Sequence, residues 1–177
     1  MKDQTGREID YMRISITDRC NLRCKYCMPG DIETTDMANL LTYEEIVKVT
    51  ETAVSLGIRH VRLTGGEPLV RRGCVELVKK IKNISGIDTV GMTTNGVLLA
   101  EYARTLKEAG LDSVNVSLDT LDETEFQRLT GRNELKAVLA GISAAQEAEI
   151  PVKINTVHYK NLDWRAVLAY ADERQIP

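Results

Sequence analysis

Three of the four cysteines fall in one stretch, Thr17-Asp18-Arg19-Cys20-Asn21-Leu22-Arg23-Cys24-Lys25-Tyr26-Cys27-Met28-Pro29, spaced C-x3-C-x2-C. Closely spaced cysteine thiolates, usually four, hold iron–sulfur clusters. Three would hold three irons of a cubane and leave the fourth open. An open coordination position is what separates a reactive metal site from a structural one. Two plainer readings stand beside this one. The trio plus Cys74 could make a zinc site, since C-x2-C is a common zinc pattern. The cysteines could also be free and buried, although their dense clustering argues against it.

Other residue runs could do chemistry. Gly65-Gly66-Glu67-Pro68 carries two glycines that permit close backbone approach to a small ligand. As a bare signal it is also a turn. Thr93-Thr94-Asn95-Gly96 reads first as an Asn-Gly turn. Asn115-Val116-Ser117-Leu118-Asp119 offers a serine hydroxyl whose commoner fate is to satisfy local backbone. Arg13, Arg62 and Lys153 fall within apolar segments. A charge there is rarely fully buried unless paired. They could form ion pairs, snorkel to the surface, or gather positive charge against a phosphate group, for which Arg geometry is well suited. His60 and His158 have no spacing for a metal or a relay, and Cys74 reads as a small apolar packing residue.

The elements that must position these residues alternate between strand and helix. Strands are expected over 11–17, where Met12, Ile14 and Ile16 alternate, and over 60–64, 88–93, 113–118 and 151–157. Thr42-Tyr43-Glu44-Glu45 is a capping box for a helix carrying Ile46, Val49, Ala53 and Leu56 on one face, with Gly57 to stop it. Further helices are expected over 73–83, 98–109, 122–129, 134–148 and 163–174, with 122–129 and 134–148 split near Gly131 and Asp163 as N-cap of the last. Residues 31–41 are polar and turn-like. Strands alternating with helices predict an α/β fold with a parallel sheet, right-handed crossovers and outer helices. Every candidate run except the basic residues follows a strand, where such folds place ligands.

Composition sets bounds. The chain has 177 residues, 43% apolar and 28% charged, ordinary for a globular domain. Its net charge, 23 − 26 = −3, gives no basic field for nucleic acid. Nothing approaches the roughly 20 apolar residues of a membrane span. The polar N-terminus has no signal-peptide run, so a cysteine-rich loop points to the reducing cytoplasm and a metal.

The C-x3-C-x2-C loop, with Tyr26 before its last cysteine, resembles the cluster loop of the radical S-adenosylmethionine (SAM) enzymes. Asp10-Tyr11-Met12-Arg13-Ile14-Ser15, Cys27-Met28-Pro29 and Arg62-Leu63-Thr64-Gly65-Gly66-Glu67-Pro68-Leu69 resemble the molybdenum cofactor biosynthesis protein A family, the GTP 3′,8-cyclases. That resemblance implies a partial (βα)6 barrel, of which about five βα units are present, over a single core domain spanning residues 1–177. It implies a 4Fe–4S cluster on Cys20, Cys24 and Cys27 with SAM chelating the open iron. Tyr26, Gly66 and Ser117 would contact SAM, and Arg13, Arg62, Thr93 and Lys153 would contact GTP. The implied reaction is a lyase-type radical rearrangement of GTP that begins molybdopterin synthesis and draws on an external reductant.

The resemblance covers nearly all of this chain but about half of a complete family member. The family's sixth strand and second-cluster region have no counterpart, and the sequence does not decide between a fragment and a short form. Residues 73–74 depart modestly from the family, and 157–163 forms a shorter loop. Two rivals stay open: a radical SAM enzyme with another substrate, such as a peptide, and a truncated, inactive cluster-binding remnant. Five units leave open sheet edges, so a homo-oligomer is also in prospect.

Overall fold

The computed structural model describes residues 2, 4–27, 35–159 and 162–177. Five strands, β1 (Tyr11–Ser15), β2 (His60–Thr64), β3 (Thr89–Thr94), β4 (Ser113–Ser117) and β5 (Val152–Asn155), form one sheet. They lie in sequence order and every pair is parallel. The helices are α1 (Tyr43–Ser55), α2 (Cys74–Lys82), α3 (Leu99–Glu108), α4 (Glu123–Thr130), α5 (Leu135–Glu147) and α6 (Trp164–Glu173). The expected alternation is therefore present, with the α4–α5 break at Gly131.

Local chemistry sets the boundaries. The Thr42 hydroxyl accepts from Glu45 N–H (3.2 Å), and Thr42 N–H donates to the Glu45 carboxylate (2.7 Å), closing the capping box. Asp122 accepts Glu125 N–H (2.8 Å) and Asp163 accepts Arg165 N–H (3.1 Å), capping α4 and α6. Both outer strands are shorter than expected: β1 stops at Ser15 and β5 at Asn155. Beyond Ser15, Ile16 and Thr17 are buried but bend into the cysteine loop. Gly73 is the cap of α2 rather than its first residue. Part of the expected 31–41 turn is a single 3-10 turn, Met37–Asn39, while residues 31–34 lie outside the described residues.

The core lies between the sheet and the helices. Val61, Leu63, Val90, Met92, Val114 and Val116 point one way and meet Leu77, Val78 and Ile81 of α2, Leu99 and Leu106 of α3, and Val138 and Ile142 of α5. The opposite face carries Arg13, Arg62, Gly91, Thr93, Ser113, Asn115, Ser117, Lys153 and Asn155, alternate residues of the same strands. Parallel sheets usually read as continuous apolar runs because helices cover both faces. Here the strict alternation marks a face that the described helices do not cover. At the outer edge of β5, Ile154 N–H donates to the Pro177 carbonyl (3.4 Å).

Candidate functional site

The cysteine loop follows β1 and is stitched to two neighbours. Arg23 N–H and Lys25 N–H donate to the carbonyls of Thr130 (2.8 Å) and Leu129 (2.9 Å) at the end of α4. On the other side, Gly66 N–H donates to the Thr17 carbonyl (2.6 Å) and Glu67 N–H to the Arg19 carbonyl (2.8 Å). These contacts explain the double glycine. A Cβ at Gly65 would lie 2.3 Å from the Thr17 carbonyl oxygen, and one at Gly66 would lie 2.4 Å from that of Arg19. Gly66 thus packs against the loop, with its N–H committed to Thr17.

Cys20 and Cys24 are half-buried and Cys27 is exposed. Burial pushes the Cys20 thiol above its usual range. Burial and then the charges of Cys20 and Cys27 push Cys24 up to about 11. Among the described residues, no three His, Cys, Asp or Glu side chains converge closely enough to hold a metal ion as they stand. The donor set still fits an iron–sulfur cluster. Three thiols share one loop, Cys20 and Cys27 add to the cost of ionising Cys24, and a bound cation reverses that cost. The four-cysteine zinc site does not form. Cys74 is 4% exposed on α2 within the core, against Tyr43, and burial pushes its thiol to about 12. Met28 and Pro29 of the loop lie outside the described residues.

Cys24, Tyr26 and Ser117 line one small cavity of about 30 Å³ with Asn95, Asp119 and Phe126. Tyr26 Oη donates to Asp119 Oδ2 (2.7 Å), and its ring lies 5.7 Å from that of Tyr159. Burial first, then the Asp119 hydrogen bond, raise the Tyr26 phenol far above its ordinary value. Asp119 also accepts Val157 N–H (2.8 Å), so one carboxylate joins the loops after β1 and β5. The short loop expected over 157–163 includes Lys160 and Asn161, which lie outside the described residues.

The basic residues occupy the polar face below. Arg13 lies opposite Arg62 in the ladder, and Arg62 opposite Gly91. Thr93 lies opposite Asn115, and Asn115 opposite Lys153. The two rows are two residues apart along the strands, about 7 Å. Thr93 was expected as the last residue of strand three, opening the turn; β3 runs on to Thr94. Arg62 and Lys153 line a common cavity of about 630 Å³ with Ser113 and Asn115, whereas Arg13 and Thr93 do not border it. Arg62 donates to the Met92 carbonyl (3.0 Å) and to Ser113 Oγ (3.4 Å). Its guanidinium lies over Gly91, where a Cβ would come within 2.8 Å of Nη2. Among the described residues, Arg13, Arg62 and Lys153 belong to no ion pair. Adjacent like charges repel, so this arrangement suits an incoming anion.

Sequence reasoning gave no role to four residues that shape the site. Glu67, fully buried, accepts from Leu69 N–H, Thr94 Oγ1 and Asn95 N–H at 3.1, 2.8 and 2.6 Å. Burial pushes its carboxyl above the usual range. Asn95, Asp119 and Gly91 are the others. Glu67, Asn95 and Asp119 sit in quoted motifs, but only long-range contacts give them work.

The fold and the sequence both have relatives. The GTP 3′,8-cyclase of Petrotoga mobilis is 51% identical over 165 residues, covering 92% of this chain and 51% of that protein. The GTP 3′,8-cyclase of Thermodesulfovibrio yellowstonii is 50% identical over 166 residues, 92% of this chain and 52% of that protein. The chain spans about half the length of these relatives. SuiB of Streptococcus suis bound to S-adenosylmethionine superposes with a TM-score of 0.77 at 21% identity, covering 94% of this chain and 39% of that one. The protein anSMEcpe with bound AdoMet gives 0.74 at 17% identity, covering 94% and 49%. Among the described residues, no helix is long and apolar enough to cross a membrane. Residues 14–173 match the Radical SAM superfamily, and the chain belongs to that superfamily, whose cofactors are a 4Fe–4S cluster and SAM.

Proposed function

We propose that this chain carries the SAM-cleaving core of a GTP 3′,8-cyclase, acting on GTP at the start of molybdopterin synthesis. One observation carries the reading: a single cavity unites Cys24, Tyr26 and Ser117 above a polar sheet face on which, among the described residues, Arg13, Arg62 and Lys153 form no ion pair. The identity to GTP 3′,8-cyclases supports the choice of substrate.

Cys20, Cys24 and Cys27 would hold the cluster, which would supply one electron, drawn from an external reductant, for reductive cleavage of SAM. The Gly66 N–H already serves Thr17, so its carbonyl is the group left for the SAM ammonium, which needs an acceptor. Tyr26, oriented by Asp119, packs beside that ligand, and the Ser117 hydroxyl faces it from the end of β4. Arg62 and Lys153, with Arg13 beside Arg62, receive the triphosphate, and Thr93 contacts the nucleotide from the Lys153 row. Confinement and charge placement are the protein's share of the work. We place the chain in the cytoplasm, where thiols stay reduced.

The test is anaerobic reconstitution with iron and sulfide, reduction, addition of SAM, and measurement of 5′-deoxyadenosine. Product that disappears in Cys24→Ala is expected. No product at full iron load would overturn the enzyme reading in favour of an inactive cluster-binding chain. Product without GTP affinity would turn the reading toward another radical SAM substrate.

A further inference from the structure

Asn95 is held on three sides in the turn after β3. Its backbone N–H donates to Glu67 Oε2 (2.6 Å). Its side-chain Oδ1 accepts Val97 N–H (3.0 Å). That second bond fixes which way the amide faces, because only the oxygen can accept from Val97. The NH2 group is therefore turned to the cysteine loop. There Nδ2 donates to Asn21 Oδ1 (2.7 Å) and reaches Cys20 Sγ at 3.6 Å. Cys20 Sγ also receives Leu22 N–H at 3.4 Å. One side chain, distant in sequence, thus aims a donor at the sulfur of the loop's first cysteine.

We infer that Asn95 is a positioning residue for the cluster: its amide N–H, pinned by Val97 and Glu67, holds Cys20 Sγ and raises the reduction potential of the centre that Cys20 ligates. The inference rests on the cluster assignment above. The physical reason is charge. A one-electron reduction adds negative charge to the iron–sulfur unit, and part of it resides on the thiolate sulfurs. An N–H aimed at a sulfur stabilises that charge, so hydrogen bonds to sulfur shift cluster potentials. Removing the donor destabilises the reduced state and moves the midpoint to more negative values. No proton is gained or lost in the step; the electron comes from dithionite in the titration.

Asn95→Asp separates this role from a structural one. Aspartate keeps the shape and the acceptor for Val97, but it loses the donor and places negative charge beside Cys20. Asn95→Ala loses both. Each variant and the unaltered chain are reconstituted and titrated with dithionite, reading the midpoint potential spectroscopically, with the melting temperature of the metal-free chain measured alongside. A negative shift in Asn95→Asp at unchanged melting temperature is expected, as is a negative shift in Asn95→Ala. Loss of iron uptake in Asn95→Asp with the fold intact also supports the positioning role. If Asn95→Ala does not fold, Asn95→Asp decides alone. Loaded clusters with matching midpoints overturn the role of Asn95 and leave the cluster assignment standing. Failure of the unaltered chain to take up iron overturns that assignment and this inference with it.

Discussion

On the side of the sheet that meets the helices, Val61, Leu63, Val90, Met92, Val114 and Val116 are at most 1% exposed. On the other side, the same strands present Arg13, Arg62, Thr93, Asn115, Ser117 and Lys153, half-buried or exposed. The two faces share one backbone and one period of two, yet they do opposite things. The apolar face supplies the burial that folds the chain. The polar face adds little burial and carries two cations, Arg13 and Arg62, at paired positions of adjacent strands. A face that contributes so little burial to the fold fits a binding role. The comparison teaches that stability and ligand recognition are separated here by the pleat rather than by domain.

Substitutions can break that separation or sharpen it. Leu63→Ala, on the apolar face, should lower the unfolding free energy by about 2–5 kcal/mol, as truncation of a buried leucine does; denaturant melts of the metal-free chain would measure it. Glu67→Ala should cost on the order of 3 kcal/mol, because it leaves three donors without their acceptor. It should also lower iron uptake, since Glu67 joins the turn after β2 to that after β3. An unchanged melting temperature would sever that link. Arg62→Ala, on the polar face, should barely move the melting temperature while weakening GTP binding roughly 10- to 100-fold, the scale of a charge-assisted hydrogen bond. Calorimetry gives that affinity, and the Arg13, Arg62 and Lys153 triple alanine variant should lose it. Unchanged GTP affinity in the triple variant would remove the nucleotide role from this face. Gly91→Ala should give the smallest effect. The added Cβ displaces only the end of the Arg62 side chain, so a few-fold loss of GTP affinity is expected with the fold retained.

Much of the fold was legible because its signals are local. Alternation in 60–64 and 113–118, the Thr42–Glu45 capping box and Gly131 each act within a few residues. The ends of the outer strands were less legible. Ile16 and Thr17 are buried, which extends the apparent strand, but the chain turns there to meet Gly65 and Gly66. Within the site, the cysteine spacing was readable and the partners of each residue were not. Tyr26 and Asp119 are 93 residues apart in sequence, and Asn95 and Cys20 are 75 apart.

The sequence by itself determined the cysteine trio, the order of strands and helices, and the alternation that separates the two faces. Covalent spacing fixes all three. Tertiary structure alone decided that Arg62 lies across Gly91 and that Glu67, Asn95 and Asp119 tie the loops together. A parallel sheet brings the ends of distant strands within hydrogen-bonding reach, and no local pattern encodes which carboxylate or amide will be buried there.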